Sequence, residues 1–488
     1  MKKIFLRFTT FLLGMIMCAS LAACGGGGGG LDRTYTIDDP WWNTTGTLQK
    51  EGANVVFDDV YVDLVTVVTG ADYTTFEKLV NRFNTEYKDK ITVNITQMND
   101  SNFETTVASN IVNNSNAPDL IMSHQKGQAS LVENKLIQPF NEAMEKSGIE
   151  IKLEDYSASL TQYSSLGYEG YLFSLPIDVR SQVAYYNKKL LNKYGGKLPE
   201  TRSELIALCK SAASGEGNGF IPIAIDTSFD SKYFSTYSFP TAIVQNGGHF
   251  YDDTFHADWA SDATNLKAFK DAVQSMKELT EAPKLMDYSM SASAALGSFL
   301  SNKALFYISV PWELKEVISA YGKQNNNLTD AKVMEEYIGG TSLSGWFALD
   351  ENAECADYVF GDAHCFSMSR TVTDINKKAA MLEFMKWYTQ TVSVGTAWAE
   401  AGHMSASTIV VNDPAYIENA WVENFISKFY SDINKIECLG LTPYFNDTIS
   451  QLAALFVSTQ TTATEAATEA AIKQAQDSVN EVIDFIEM

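Results

Sequence analysis

Histidine, cysteine and proline are scarce in this 488-residue chain, at five, six and 11 residues. So few prolines exclude a collagen-like or polyproline rod, and six cysteines at this length make no disulfide framework. Positive charge is also short: 36 basic residues stand against 60 acidic ones, for a formal charge of −24. A surface of that sign repels phosphate backbones and anionic headgroups, so no nucleic-acid partner is expected. Beyond the first 23 residues, no run approaches the ~20 apolar residues of a membrane span. The remaining chemistry is globular, 45 % hydrophobic and 20 % charged. At about 100–200 residues per domain, the length suits several domains with sizeable cores.

The first 23 residues form a segment of different composition. Lys2, Lys3 and Arg7 make a basic start, residues 11–21 are mostly apolar, and Leu21-Ala22-Ala23-Cys24 closes the stretch. This is the pattern of a secretory signal over residues 1–23. Small residues just before a cysteine resemble the bacterial lipobox, so Cys24 is the expected lipidation site. Losing this leader, with its three basic residues and no acid, takes the net charge to −27. Of the other cysteines, Cys18 lies in the leader and Cys209, Cys355, Cys365 and Cys438 remain. Cys355 and Cys365 are close enough in sequence to pair across a turn; four buried thiols are the alternative.

Residues 25–30 are an unbroken glycine run, and 24–54 reads as a lipidated cysteine followed by a flexible tether. Trp41 and Trp42 are the apolar feature of that tether and either dock on the body or anchor the leash. From residue 55 strands and helices alternate. Residues 60–68 read as a buried β-branched strand. Asp72 and Thr74 are N-cap candidates, Thr74 through Glu77 is a capping-box pattern, and Phe76, Leu79, Val80, Phe83 and Tyr87 recur at helical spacing. Strand 91–95, helix 102–114 and strand 119–122 continue the series. Strands are also expected at 181–186 and 304–309, with helices at 203–213 and 380–388. A terminal helix follows, with Thr462 and Glu465 as its capping box and Ala471, Ala475, Val479, Val482 and Ile486 as its apolar stripe. Strand–helix–strand order of these lengths predicts an α/β fold with a mostly parallel sheet.

Enzyme signatures are missing. There is no Gly-x-Ser-x-Gly elbow and no Walker A, and Gly215, Gly217 and Gly219 follow a helix where a dinucleotide loop would follow a strand. His249 and His256, with Asp252, Asp253 and Asp258, suit either a metal or an ordinary loop. No cofactor, no resident metal and no enzymatic activity is expected.

Several ordered motifs are similar to the extracellular solute-binding proteins of ATP-binding-cassette importers, in the large carbohydrate-binding group that includes maltose-binding proteins. They are 76–87 (FEKLVNRFNTEY), 117–120 (APDL) with 136–140 (LIQPF), 168–178 (YEGYLFSLPID), 185–191 (YYNKKLL), 198–201 (LPET), 304–312 (ALFYISVPW) and 378–388. Arg202 stands where the family's pattern has Trp, and Val310 where it has Gly. The resemblance implies a two-lobed periplasmic-binding-protein-like fold with discontinuous lobes, a hinge and a central ligand cleft. Lobe I would be 55–178 with 362–405, and lobe II 179–361 with 406–488. The hinge would pass near 178–180, 361–362 and 404–407. It further implies a sugar-binding lipoprotein on the outer face of the cytoplasmic membrane, delivering a carbohydrate, an oligosaccharide first of all, to permease subunits, and working as a monomer.

Candidate ligand residues follow from position on that frame. Gly70 and Asp72 lie after the first strand, and Ser123, His124 and Gln125 after the third, where open α/β sheets bind ligands. Asp178, Arg180 and Asp362 flank the crossings. Trp312, at the family's tryptophan position, would stack on a sugar ring, with Glu313 beside it. Tyr237 and Trp398 complete the set. Two alternatives stay open: a cationic solute such as a polyamine, drawn by the acidic charge, and a lipid-anchored glycosidase, suggested by the surplus of carboxylates.

Overall fold

The computed structural model describes residues 36–488, apart from 99–101, 226–233, 253, 282–283, 431, 439–441, 443, 461–463 and 488. The leader, Cys24 and the glycine run lie outside the described residues, as do Asp253 and Thr462. Among the described residues, no helix is long and apolar enough to cross a membrane.

Among the described residues the chain builds one six-stranded sheet, two four-stranded sheets and a two-stranded pair of Lys50–Glu51 with Asn54–Val55. Strand β1 (Val60–Thr66) leads into helix α1 (Gly70–Glu86), followed by β2 (Ile91–Gln97), α2 (Phe103–Val112), β3 (Leu120–His124), α3 (Gln125–Glu133), β4 (Ile137–Gln138) and β5 (Leu175–Pro176). Thr69, in extended backbone, precedes α1, and its side chain makes no cap bond. Asp72 and Thr74 therefore lie inside the helix rather than capping it. The predicted stripe Phe76, Leu79, Val80 and Phe83 is the buried face.

Strand β6 (Asp178–Ser181) runs through Gln182 into β7 (Val183–Asn187), so the single strand expected at 181–186 is two strands of different sheets. Then come α4 (Arg202–Glu216), β8 (Ile223–Ile225), α5 (Phe239–Gln245), α6 (Ala263–Thr280), β9 (Phe306–Ser309), α7 (Leu314–Gln324) and β10 (Ile338–Thr341). Thr201 caps α4 by accepting the Glu204 N–H, while the Glu204 carboxylate accepts the Glu200 N–H. Arg202, in place of tryptophan, is buried and donates to Ser275 Oγ and to Glu278 on α6.

Strand β11 (Val359–Asp362) continues through Ala363 into β12 (His364–Ser369). Helices α8 (Ile375–Gln390) and α9 (Val392–Glu400), strand β13 (Met404–Ser405), strand β14 (Ile436–Glu437) and helices α10 (Phe445–Gln460) and α11 (Glu465–Glu487) complete the chain. Of the expected α11 stripe, Ala475 and Val479 are buried, while Ala471 and Val482 are half-buried and their neighbours Ile472 and Ile483 are buried instead. The two isoleucines supply larger apolar surface than Ala471 and Val482, so they take the inward face.

The first large sheet has the order β2-β1-β3-β12-β4, with β5 also on β12; β1, β2 and β3 are parallel and β12 runs against them. The second has the order β8-β9-β7-β10. The third, β13-β6-β11-β14, gathers the segments that pass from one large sheet to the other, with Arg180 opposite Asp362 and Ser405 opposite Asp178. The architecture is the two-lobed α/β fold.

Most of residues 36–54 are exposed, but a few contacts tie the segment to the body. The Trp41 indole N–H donates to the Ile137 carbonyl at 2.8 Å, and its ring stacks on Phe173 with centroids 6.0 Å apart. Lys378, pushed down to about 8 by burial, donates to the Asn43 carbonyl and Thr44 Oγ1. The tether expected through residue 54 thus gives way earlier to a segment docked on the first sheet. All four cysteines of the body are free and buried, which removes the Cys355–Cys365 pairing.

Candidate functional site

The third sheet concentrates titratable side chains. Asp178 opens β6 with no solvent exposure. Its Oδ1 accepts the backbone N–H of His364 at 2.9 Å, and its Oδ2 accepts His364 Nδ1–H at 2.8 Å and the Trp398 indole N–H at 2.7 Å. Burial pushes the carboxyl up, but His364, His403 and the His364 backbone N–H outweigh it and hold the group below the usual carboxylate range. Burial also lowers His364, which keeps its ring neutral with the Nδ1–H directed at the carboxylate.

His403, one residue before β13 and only 1 % exposed, sits between two carboxylates. Its Nδ1 is 3.3 Å from Asp178 Oδ2, and its Nε2 is 3.3 Å from Oδ2 of Asp72, in the first turn of α1. The Trp398 ring stacks on it at 4.3 Å, and the Trp312 ring lies parallel to it at 6.1 Å. Trp312 belongs to the one-turn 3-10 helix Pro311–Glu313 after β9, in the second lobe's sheet. Gly402 lets the two segments meet. Its φ is +102°, and a Cβ there would collide with the Pro311 carbonyl oxygen and the Trp312 backbone.

Arg180 places its guanidinium 4.8 Å over the Trp312 ring, and its Nη1 is 3.6 Å from Asp362 Oδ2. Burial raises the Asp362 carboxyl, and Arg180 offsets part of that. Glu313 accepts from Ser309 Oγ at 2.6 Å and from the Tyr307 hydroxyl at 3.2 Å.

Of the residues singled out in the sequence, the fold brings Asp72, Asp178, Arg180, Trp312, Asp362 and Trp398 into this one cluster. His124 joins through its ring, 5.1 Å from that of His364. Asp178 and Arg180 are not each other's partners: the first answers to His364, His403 and Trp398, the second to Asp362 and Trp312. Strand β3 runs to His124 and not to residue 122, so Ser123 is inside it, fully buried and hydrogen-bonded to Gln128. Gln125 is buried and donates to the Leu160 carbonyl. Tyr237 is packed in the second lobe's hydrophobic core. Gly70, Asp72, Trp312 and Glu313 retain appreciable exposure. His249 pairs with Asp258 and His256 with Asp484, and Asp252 binds its own loop, so that window is a loop. His364 and His403 had no local signature. Their one signal was position, since both adjoin the crossing segments that the resemblance had marked.

The family model described as bacterial extracellular solute-binding protein matches residues 68–344. The sn-glycerol-3-phosphate-binding periplasmic protein UgpB of Shigella dysenteriae is 28 % identical over 121 residues, 24 % of this chain and 27 % of that protein. Its counterpart in Pectobacterium atrosepticum is 29 % identical over 119 residues, 24 % and 26 % of the two chains. The chain thus spans about a quarter of the length of the curated relatives it matches. Among solved structures, the sugar-binding protein MalE of Xanthomonas citri superposes with a TM-score of 0.71 at 14 % identity, covering 88 % of this chain and 100 % of that one. The GacH receptor of Streptomyces glaucescens, studied unliganded and with acarbose, gives 0.66 at 17 % identity, with 88 % and 99 % covered. Maltose-bound MalE3 of T. maritima gives 0.64 at 18 %, with 87 % and 100 % covered. At these identities the superpositions establish the fold.

Proposed function

The chain belongs to the bacterial extracellular solute-binding protein family, and from that premise we propose that it captures a carbohydrate, most simply an oligosaccharide, between its lobes and delivers it to a membrane permease of an ATP-binding-cassette importer. Cys24 is its lipid anchor at the outer face of the cytoplasmic membrane. The lobe boundaries are those read from the sequence, with the β6, β11 and β13 crossings as the hinge.

The observation that carries the ligand class is Trp312. It is a partly exposed indole on the second lobe that lies parallel to the His403 ring and carries the Arg180 guanidinium over its own; Arg180 pairs with Asp362, and His403 approaches Asp72. A sugar ring that takes the place of the guanidinium would gain an apolar face to stack on and charged partners for its hydroxyls. Closure of the lobes on that ligand shifts an open–closed equilibrium, and the closed form is what a permease reads. A polyamine-like solute fits less well, because Arg180 already places a positive charge over the Trp312 ring and pairs with Asp362. A phosphate-bearing polyol is the second reading, supported by the short match to glycerol-phosphate-binding relatives and by Arg180.

Thermal unfolding against mono- and oligosaccharides, polyamines and sn-glycerol 3-phosphate tests the proposal. A ligand at about 100-fold over its Kd stabilises by roughly 2.7 kcal/mol, a readable shift. Stabilisation by one glycan series, lost in Trp312→Ala with the fold intact, is the expected result. A shift with glycerol 3-phosphate alone, weakening with salt, would move the function to the second reading.

A further inference from the structure

Asp178 Oδ2 already accepts two hydrogens, from Trp398 and His364, which fills the two lone pairs of a carboxylate oxygen. His403 Nδ1 lies 3.3 Å from that same oxygen, and neither ring nitrogen of this buried side chain makes an aligned hydrogen bond. Both nitrogens of this buried ring thus face carboxylate oxygens without a hydrogen bond to either, and a cation placed among Asp178, His364 and His403 would give Nδ1 a partner.

We propose that Asp178, His364 and His403 form a binding site for a divalent transition metal of the zinc type, at the junction of the two lobes. Their donor atoms lie within 4.8 Å of one another. Two imidazoles and one carboxylate suit zinc, cobalt or nickel and disfavour calcium or magnesium. At metal–ligand distances of about 2.0–2.1 Å, tetrahedral neighbours stand roughly 3.3 Å apart. The Asp178–His403 pair is already at 3.3 Å, while Asp178–His364, at 2.8 Å, widens by about half an ångström on coordination. Coordination through Nδ1 requires His364 to change tautomer: the Nδ1 proton passes to solvent and Nε2 takes one up, so the ring stays neutral and no net proton is released. Asp178 Oδ2 then accepts Trp398 and binds the ion, His403 Nδ1 becomes a ligand, and His403 Nε2–H points at Asp72. That last contact is the carboxylate–histidine–metal arrangement that orients ligating imidazoles. Solvent supplies a fourth ligand, as at other three-ligand sites. Because Trp312 lies parallel to His403, the ion would stiffen the contact between lobes, a role independent of which solute the cleft takes.

The test is titration of the purified, chelator-stripped protein with ZnCl2, without sugar, alongside visible absorption with Co2+. One equivalent bound below micromolar Kd is expected, with Co2+ bands of a four- or five-coordinate site. His403→Gln should cut affinity by at least 100-fold and Asp72→Asn by about 10-fold, while His249→Ala/His256→Ala leaves it unchanged. Should His403→Gln fail to fold, imidazole 15N shifts of the wild-type protein on adding zinc decide. Movement at His364 and His403 Nδ1 supports the site. Absence of stoichiometric binding, or binding that follows His249 and His256 instead, overturns it. The titration needs no solute, so its failure leaves the transport reading untouched, and failure of that reading leaves the metal site intact.

Discussion

Glu437→Gln should remove a pH dependence built into the third sheet. Glu437 ends β14, opposite Phe360 of β11. Burial pushes its carboxyl up from 4.5 to about 7. A carboxyl with a raised folded value binds its proton more tightly in the folded than in the unfolded state. Its stabilising contribution is therefore complete below the unfolded value near 4.5 and is lost as pH rises through about 7. At about 1.4 kcal/mol per pH unit the full effect is roughly 3 kcal/mol. The side chain keeps some exposure, so 1–3 kcal/mol is the working range, a rough span after solvent screening. Urea unfolding of wild type and variant at pH 5 and pH 8 measures it. Every other carboxyl is common to both proteins and cancels in the comparison. Wild type should lose about 1–3 kcal/mol more than Glu437→Gln between the two pH values. Parallel pH profiles for the two proteins would refute the reasoning, because they would mean that the carboxylate is solvated in the folded state.

Gly402→Ala forces a Cβ into the Pro311–Trp312 turn at a φ of +102°. Strain and overpacking of about 1–3 kcal/mol should weaken solute binding roughly 5- to 150-fold, read by calorimetry; unchanged affinity would mean that the two segments separate in the bound form. A thiol reagent should find none of Cys209, Cys355, Cys365 and Cys438 reactive in the native protein, since all four are buried with thiols raised by burial. All four should react in denaturant, and a deficit of two there would reveal a disulfide. Phe83→Ala, at a fully buried ring against Phe384 and Trp387, should cost about 3–5 kcal/mol, measured by denaturant unfolding; a loss under 1 kcal/mol would mean that the α1–α8 contact is loose.

The amino-acid sequence by itself determined what depends on short-range periodicity. The α1 stripe and the alternation of strands with helices follow from spacings of two to four residues, and spacing is visible in one dimension. The order of soft motifs also marked the crossings around Asp178 and Asp362. Tertiary structure decided the rest. His364 and His403 lie 186 and 225 positions from Asp178, and only the antiparallel pairings of β6 with β11 and with β13 carry them to its side. Asp178, placed by the sequence only beside a crossing, is fully buried and accepts three N–H groups, because a side chain's solvation is set by everything packed around it. The same holds for Trp41, whose dock on Ile137 and Phe173 is made by a surface that exists only after the first sheet has formed, and for the stripe of α11, where helical spacing allowed two neighbouring faces and packing against the second lobe selected one.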